Sequence, residues 1–397
     1  MRIGIDGACL GNRRGFGRFT WSLLRALAEV DCDHEFLVFL DQETRSRVEL
    51  PERFATRVVR LRESPTHAAS AQGNRKFGDL LAMSRAVAAE RLDAMFFPAS
   101  YSFFPIWNVA RVVVTMHDTL PLSHPELIFP TWRGRWFWRV KEWYAARSAD
   151  LILTVSEASR RDLMAWHHLE GTRIQVIPEG AAAVFESRPD PERTSTVLRA
   201  WGLSAGRRYL LYVGGLSPHK NLLRLVEAFA RFAPLDLALV LVGDFKDVFH
   251  THVAEIRAAI EKHGLEERVL LTGYVPDDDL VYLYHEAFAL VLPSLLEGFG
   301  LPAVEAMSQG CPVLASTAGS LPEIVGDAGV YFDPLAIEEL GGALRLLVEH
   351  PNLRAALVAR TRDRASRFTW RNAALALVEA LEGREPQPCQ KGIRRAS

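Results

Sequence analysis

Short apolar runs alternate with longer amphipathic segments along this chain, and the series occurs twice. In the first half, six runs have the length and composition of buried strands: Ile3–Ile5, Phe36–Leu40, Ala94–Phe97, Val112–Met116, Leu151–Val155 and Ile174–Ile177. The second half has six more: Tyr209–Val213, Leu237–Val242, Val269–Leu271, Ala289–Leu292, Pro312–Ala315 and Val330–Phe332. Helical periodicity lies between them, as in Phe19–Val30 and Ala158–His167. Strands that alternate with helices predict parallel sheets covered by helices on both faces.

Two such series in 397 residues predict an α/β protein with two doubly wound, Rossmann-like domains. Because the polar segment 186–195 separates the halves, we expect a first domain over 1–185, a linker over 186–195 and a second domain over 196–368. A last amphipathic helix is predicted within 369–383, followed by a disordered tail over 384–397. Ligands of doubly wound sheets bind outside the carboxyl ends of the strands, so the cleft between the domains is the expected site.

The charge balance and the cysteines exclude several classes of protein. Lys plus Arg (47) nearly equals Asp plus Glu (48), so no field of the whole molecule attracts nucleic acid or anionic lipid, and local patches must be judged one at a time. The cysteines Cys9, Cys32, Cys311 and Cys389 form no CxxC pair and have no metal-type spacing, which predicts free thiols in a reducing compartment. Nothing resembles a signal peptide, and no stretch approaches the roughly 20 apolar residues of a membrane span. We therefore expect a cytoplasmic protein.

The most specific chemical pattern follows the predicted strand Ala289–Leu292. Its sequence is SLLEGFGLPAVEAM, with Glu297 before a predicted helix and Glu305 inside that helix. Gly298 and Gly300 allow a tight turn and a close approach to a ligand, and the helix N-terminus offers unpaired N–H groups to an anion such as a diphosphate. Two acids at this spacing more often belong to an ordinary helix start, but the glycine-rich turn after a buried strand favours a binding site.

Seven segments resemble the family 4 retaining glycosyltransferases and follow the order of that family. In the second half they are YVGGLSPHKNLLRLVEAF (212–229), LTGYVPDDDLVYLYHEA (271–287), SLLEGFGLPAVEAMSQGCPVLAS (294–316) and GSLPEIVGDAGVYFDP (319–334). In the first half they are GIDGACLGNRRGFGRFTWSLLRAL (4–27), VTMHDTLPLSHPE (114–126) and ILTVSEASRRDL (152–163). The resemblance implies the GT-B fold, in which two Rossmann-like domains with parallel sheets face each other across a cleft. It also implies that the last helix crosses back to the first domain.

The resemblance assigns roles to residues of the second half. Glu297 would contact the transferred sugar, Glu305 would bind the ribose hydroxyls, and Lys220 would stabilise the charge on the departing diphosphate. Further donor contacts, several of them through the backbone, are expected at Gly214, Gly215, Tyr274, Val275, Gly298, Phe299, Gly300 and Leu301. The donor side of the site therefore lies almost wholly in the second domain.

One position departs from the pattern of the family. Many relatives have arginine where this chain has Gly215. The second cation is therefore either missing or supplied by Arg13, Arg14 or Arg18 of the first half. A missing cation would suit a degenerate partner subunit, whereas the presence of both glutamates favours an enzyme.

The first half contributes His117 and a glycine-containing loop. His117 follows the fourth predicted strand, and its counterpart in relatives faces the reacting centre, although a lone histidine at a strand end is more often structural. A loop over Gly11–Gly17 would bring the N–H groups of Gly15 and Gly17 to the diphosphate. The same glycines resemble a dinucleotide fingerprint, but its third glycine is Thr20 here, which disfavours a nicotinamide-dependent oxidoreductase.

Two other segments could be taken for binding sites. Asp277–Asp279 precedes a predicted helix, so helix capping explains these acids better than a metal site, and we expect no metal. The stretch Trp132–Arg147 is dense in tryptophan and cations. We favour a helix packed on its own domain with basic residues on the solvated face. The alternative is peripheral contact with the inner membrane face, where a lipid-linked acceptor would be collected.

The resemblance implies a retaining, metal-independent hexosyltransferase that needs no cofactor. Its donor would be a nucleotide diphosphate sugar, and its acceptor a hydroxyl of a glycan or lipid-linked glycan. The segment 114–126 resembles bacterial mannosyltransferases of surface-polysaccharide assembly, which favours GDP-mannose. A UDP-sugar-dependent glucosyl- or N-acetylglucosaminyltransferase and a nucleotide-sugar epimerase are the alternatives. No nucleic-acid partner is expected.

Overall fold

A computed structural model describes residues 1–12, 15–63, 76–129, 131–204, 206–245 and 251–384. One parallel sheet contains β1 (Arg2–Asp6), β2 (Glu35–Asp41), β3 (Phe54–Val59), β4 (Ala94–Phe97), β5 (Arg111–Thr115), β6 (Leu151–Thr154) and β7 (Ile174–Val176). The other contains β8 (Tyr209–Val213), β9 (Ala238–Val242), β10 (Val269–Gly273), β11 (Ala289–Leu292), β12 (Val313–Ser316) and β13 (Gly329–Phe332). Their strand orders are β3-β2-β1-β4-β5-β6-β7 and β10-β9-β8-β11-β12-β13.

Helices follow most strands and connect neighbouring parallel strands. Those of the first half are α1 (Gly15–Glu29), α2 (Gln42–Arg47), α3 (Phe77–Ala88), α4 (Leu120–Ser123), α5 (Pro125–Ile128), α6 (Trp132–Ser148) and α7 (Glu157–His167). Those of the second half are α8 (Pro191–Ala200), α9 (Leu222–Phe232), α10 (Val253–Lys262), α11 (Asp277–Glu286), α12 (Leu301–Ser308), α13 (Leu321–Val325), α14 (Ile337–Glu349), α15 (Pro351–Ala365) and α16 (Trp370–Glu382). The predicted α/β class with two parallel sheets is confirmed.

All twelve predicted strands are present, with ends that differ by at most two residues, and one strand of the described residues was missed. Central strands such as β11 are buried along their whole length, which is why they appear as continuous apolar runs. The missed strand, β3, lies at the edge of its sheet. Only its two terminal residues, Phe54 and Val59, are buried. An edge strand that faces solvent carries no apolar run, so hydrophobic patterning could not find it.

The prediction of a loop over Gly11–Gly17 is wrong for its last residues, Gly15–Gly17. A short 3-10 turn covers Ala8–Gly11, and α1 already begins at Gly15, so Gly15 and Gly17 lie in the first turns of a helix. A Cβ atom on Gly17 would lie 1.4 Å from the Asn12 carbonyl oxygen. The helix passes so close to the preceding backbone that only glycine fits. Arg13 and Arg14 lie outside the described residues.

The last helix returns to the first half of the chain. α16 packs along α1, with the Trp370 ring 5.7 Å from the Phe19 ring in an edge-to-face arrangement. The Gln175 side chain of β7 donates to the Ala376 carbonyl at 3.3 Å. The segment proposed as a linker is partly helical, because α8 begins at Pro191. The predicted domain bounds stay predictions, and residues 385–397 of the predicted tail lie outside the described residues.

Two further expectations concern cysteines and membranes. Cys9, Cys32 and Cys311 are free thiols, and Cys389 lies outside the described residues. Among the helices that the structure describes, none has both the length and the apolar character needed to cross a bilayer.

Candidate active site

The two halves meet at the turn that follows β11. A Cβ atom on Gly298 would lie 2.7 Å from the His117 carbonyl oxygen and 3.1 Å from the Asp118 Cβ atom. The Gly298 carbonyl accepts hydrogen bonds from the hydroxyls of Ser156 at 2.7 Å and Ser159 at 3.1 Å, both near the start of α7. Any side chain at residue 298 would separate the halves, so glycine is needed for this contact. The backbone after β5 and the turn after β11 thus form adjoining walls of one cleft.

Lys220 and Glu297 form an ion pair at this point. The Lys220 Nζ atom lies 2.7 Å from the Glu297 Oε1 atom, and the Ser294 hydroxyl donates to the same oxygen at 2.7 Å. Both side chains are largely withdrawn from solvent, with 18% and 13% of their surfaces exposed. Burial raises the pKa of the nearby Asp118, and the negative charge of Glu297 raises it further. A positive and a negative group are therefore held together in a poorly hydrated cleft, where charges interact strongly.

The turn that carries Glu297 is held by serine. Gly300 adopts a left-handed conformation (φ 93°) directly before α12. The Ser320 hydroxyl contacts the Glu297 carbonyl at 3.1 Å and the Phe299 carbonyl at 2.8 Å. These bonds fix the backbone between β11 and Leu301, the first residue of α12, so the predicted strand–turn–helix arrangement is present.

Glu305, eight residues after Glu297, is bound from across the cleft. Its side chain is 1% exposed, its Oε1 atom lies 2.6 Å from the Arg18 Nη2 atom, and its Oε2 atom accepts from the Tyr284 hydroxyl at 2.8 Å. Burial raises the pKa of Glu305, and the Arg18 guanidinium opposes that shift. Arg18 also lies 3.4 Å from the Asp277 carboxylate. A cation of α1 in the first half thus neutralises the glutamate that the resemblance assigns to ribose.

His117 is held from both sides of its ring. Its Nε2 atom lies 3.0 Å from the Pro98 carbonyl oxygen, which can only accept, so this nitrogen carries a proton. Its Nδ1 atom lies 3.7 Å from the Glu179 carboxylate. The rings of Phe16 and Phe19 approach it edge-on at 4.9 and 4.5 Å. In the neutral imidazole, Nδ1 is then the nitrogen free to accept a hydrogen bond.

The remaining predicted donor contacts lie at the carboxyl ends of β8 and β10. Gly214 and Gly215 follow β8, but the Gly214 N–H donates to the main chain of β9 at 3.0 Å, and the Tyr212 hydroxyl donates to the Gly215 carbonyl at 2.6 Å. The Gly214 amide is therefore committed to the sheet. After β10, Tyr274 is 60% exposed whereas Val275 is buried. The exposed tyrosine is available to a ligand, and the valine contributes packing.

The three consecutive aspartates lie inside α11 and not before it. No side-chain capping hydrogen bond is present at the start of this helix, so the capping explanation is wrong in that detail. Asp277 pairs with Arg18, and the Asp279 carboxylate accepts from the Trp201 ring N–H at 3.1 Å. Acids in a first helical turn are favourable because they face the positive end of the helix dipole. Within the described ranges, no three His, Cys, Asp or Glu side chains are grouped as metal ligands.

Several contacting residues were not found from the sequence. Glu179 follows β7, and the rule that places sites at strand carboxyl ends could have identified it. Ser294 belongs to the glycine-rich segment but was given no role. Tyr284 is buried within α11 and carries no local signal. Arg18 was considered only as a diphosphate ligand, whereas it contacts Glu305.

Glu142 of α6 is a buried acid near the same cleft. It is 5% exposed, accepts from the Ser100 hydroxyl, and is the one acid in a segment rich in cations. Burial raises its pKa from 4.5 to about 7, opposed by the hydrogen bond from Ser100 and by the charge of Lys141. Between these two pH values the folded protein keeps a proton that the unfolded chain has lost.

This proton makes the free energy of unfolding fall as pH rises from about 4.5 to 7. We expect Glu142→Gln to remove that decline, which amounts to up to about 3 kcal/mol. The free energy of unfolding is measured by urea unfolding at several pH values between about 4.5 and 8. Glu170→Gln, at an exposed position, is the control. Parallel profiles for the wild type and Glu142→Gln would show that Glu142 titrates normally.

Comparison with known proteins agrees with this arrangement. Residues 13–182 match the family described as Glycosyltransferase Family 4, and residues 195–364 match Glycosyl transferases group 1. The chain is 31% identical over 284 residues to an O-antigen chain mannosyltransferase B of Escherichia coli, covering 71% of this chain and 72% of that protein. It covers only 33% of a serotype-specific mannosyltransferase of the same species, at 26% identity.

Solved structures agree in fold. A sucrose-phosphate synthase from Thermosynechococcus elongatus superposes with a TM-score of 0.76 at 21% identity, over 96% of this chain and 98% of that chain. Anabaena Alr3699/HepE, solved in complex with UDP-glucose, superposes with a TM-score of 0.74 at 22% identity, over 96% and 100% of the two chains. The two parallel sheets, the family matches over both halves and the relative that is 31% identical show that the chain belongs to the family 4 glycosyltransferases of the GT-B fold.

Proposed function

We propose that this glycosyltransferase moves a hexose, with mannose from GDP-mannose favoured, to a hydroxyl acceptor in glycan or glycolipid assembly, with retention of configuration and without metal. The observation that carries the proposal is the Lys220–Glu297 ion pair at 2.7 Å, beside the turn at which Gly298 touches the His117 backbone. Residues of both halves therefore line the same part of the cleft. The mannosyltransferase relatives support the choice of sugar.

In the proposed reaction the bond between the sugar C1 atom and the diphosphate breaks while the acceptor oxygen bonds to C1 on the same face. The acceptor proton passes to the departing phosphate oxygen. Lys220 and the backbone N–H groups of Gly298–Leu301 stabilise the charge that develops on that phosphate. Glu297 and His117 orient the sugar, and Glu305 holds the ribose hydroxyls.

Arg18 supplies the second cation, which many relatives have as an arginine at the position of Gly215. The Arg18 guanidinium pairs with Glu305 at 2.6 Å from the opposite wall of the cleft. Ribose hydroxyls compete for that carboxylate, so donor binding frees Arg18 to contact the diphosphate as a bidentate donor. This assignment makes the active site depend on both halves and argues against a degenerate partner subunit.

The alternatives differ in donor or in reaction. A UDP-sugar donor is kept because Alr3699/HepE was solved with UDP-glucose. A nucleotide-sugar epimerase would convert the donor with no acceptor present. We also propose peripheral contact with the inner membrane face, where a lipid-linked acceptor would be presented.

The proposal is tested by a thermal-shift screen of GDP, UDP, ADP and their sugars, followed by NMR of the product. We expect GDP and GDP-mannose to raise the melting temperature most, because a ligand that binds only the folded protein stabilises it. The product should keep the anomeric configuration of the donor, and transfer should continue in EDTA. An inverted product contradicts retention, and loss of activity in EDTA that Mg2+ or Mn2+ restores contradicts metal independence.

A further inference from the structure

The solvent face of α6 is rich in aromatic residues. Side chains with 40 to 71% of their surface exposed are Trp132, Trp136, Phe137, Val140, Trp143 and Tyr144. At about 100° per residue these six side chains cover an arc of about 140° on one side of the helix. The opposite side packs on the first domain through Glu142, Ala145 and Ala146. The structure has the expected helix packed on its own domain with basic residues on the solvated face, and aromatic side chains, which the expectation did not assign to that face, share it.

The charged side chains of α6 are divided between its two sides. Arg133, Arg139 and Arg147 are exposed among the aromatic residues. The one acid, Glu142, points inward, and the Lys141 ammonium donates to the Tyr101 carbonyl. The outer face thus presents cations and no acid, in a protein whose formal net charge is only −1. This local charge is not visible in the overall composition.

The inner side of α6 connects this face to the candidate active site. Glu142 binds Ser100 and Lys141 binds Tyr101, two residues of the short turn after β4. The Pro98 carbonyl, just before that turn, accepts from His117. One short segment therefore joins the exposed helix face to the first-domain wall of the cleft.

We propose that the outer face of α6, formed by Trp132, Arg133, Trp136, Arg139 and Trp143, docks onto an anionic phospholipid surface. Tryptophan is suited to this position because its ring is apolar and its N–H remains hydrogen-bonded near the lipid headgroups. The interleaved arginines attract anionic headgroups, and their stems lie along the apolar boundary. The helix, about 25 Å long, lies in the plane of the interface.

Charge complementarity favours a lipid surface over a second copy of this chain. A symmetric pairing of this face would bring two sets of arginines together without an acidic partner on α6. Docking by this face would also hold the Pro98–Tyr101 segment close to the headgroups. If the proposed transfer function is correct, a lipid-linked acceptor would then reach the His117 side of the cleft by lateral diffusion.

The test is flotation of the full chain with vesicles of phosphatidylcholine alone or with 30% (about one lipid in three) phosphatidylglycerol. Variants are Trp132→Gln/Trp136→Gln/Trp143→Gln and Arg133→Gln/Arg139→Gln/Arg147→Gln, with the exposed Phe77→Gln on α3 as control. We expect the wild type and Phe77→Gln to float with anionic vesicles and both triple variants to lose most of that binding. Raising the salt concentration should weaken binding, because salt screens exposed charges.

Three outcomes would overturn the proposal: no flotation of the wild type, equal binding to neutral and anionic vesicles, or binding that both triple variants retain. Concentration-dependent dimers that the tryptophan variant abolishes, without vesicle binding, would instead assign this face to self-association. Circular dichroism and GDP binding are measured on the same variants. Vesicle binding without GDP binding would count against the proposed function and support the lipid-binding face. GDP binding without vesicle binding would count against the lipid-binding face and support the proposed function.

Discussion

Replacing Glu297 by glutamine is expected to lower the transfer rate by about 10²–10³-fold while the protein remains folded. The isosteric amide keeps the size of the side chain but removes the charge that pairs with Lys220 at 2.7 Å. Lys220 then lacks its fixed partner, and in the proposed role of Glu297 the sugar loses the carboxylate that orients it. The measurement is the initial rate at saturating donor, with the circular dichroism spectrum as a check of folding.

Two comparisons make this result specific. Glu266→Gln, an exposed substitution before the amino end of β10 and thus away from the strand ends that form the cleft, should leave the rate unchanged. Glu305→Ala and Arg18→Gln should chiefly raise the donor KM, because these residues are assigned to ribose and diphosphate binding. If Glu297→Gln kept a near-normal kcat and donor KM, Glu297 would not be the residue that contacts the transferred sugar.

Removing residues 370–397 is expected to expose the core of the first half and to abolish cooperative folding. α16 buries seven side chains, Trp370, Ala373, Ala374, Leu377, Val378, Ala380 and Leu381, and its longest contact is with α1. The same α1 carries Gly17 and Arg18, so its loss of packing would also disturb the cleft. The milder Leu377→Ala should cost about 2–5 kcal/mol of unfolding free energy, since this leucine is fully buried.

Leu375→Ala is the matched control for this prediction. Leu375 lies on the same helix and is 41% exposed, so its truncation should change the unfolding free energy by less than about 1 kcal/mol. Urea unfolding compares the two leucine variants, and the truncated chain is assayed for a cooperative transition and for transfer. A truncated chain with full activity, or equal losses at the two leucines, would show that α16 is not needed to hold α1.

The sequence was sufficient for the features that repeat locally. A parallel strand buried on both faces must be apolar along its length, so β11 and β8 were visible as runs of apolar residues. The turn between β11 and α12 was equally visible, because its backbone conformation requires glycine at residue 300. The edge strand β3 was not visible, because four of its six residues are exposed to solvent and need not be apolar.

By itself, then, the sequence determined the two parallel sheets, the strand–turn–helix segment with Glu297 and Glu305, and the resemblance to the family. Only the tertiary structure decided which residues meet across the cleft: Arg18 with Glu305, and Gly298 with the backbone of His117. It also decided that the aromatic side of α6 faces solvent. The reason is physical: strand and helix patterns depend on neighbours a few residues away, whereas a contact spanning 287 residues depends on how whole elements pack.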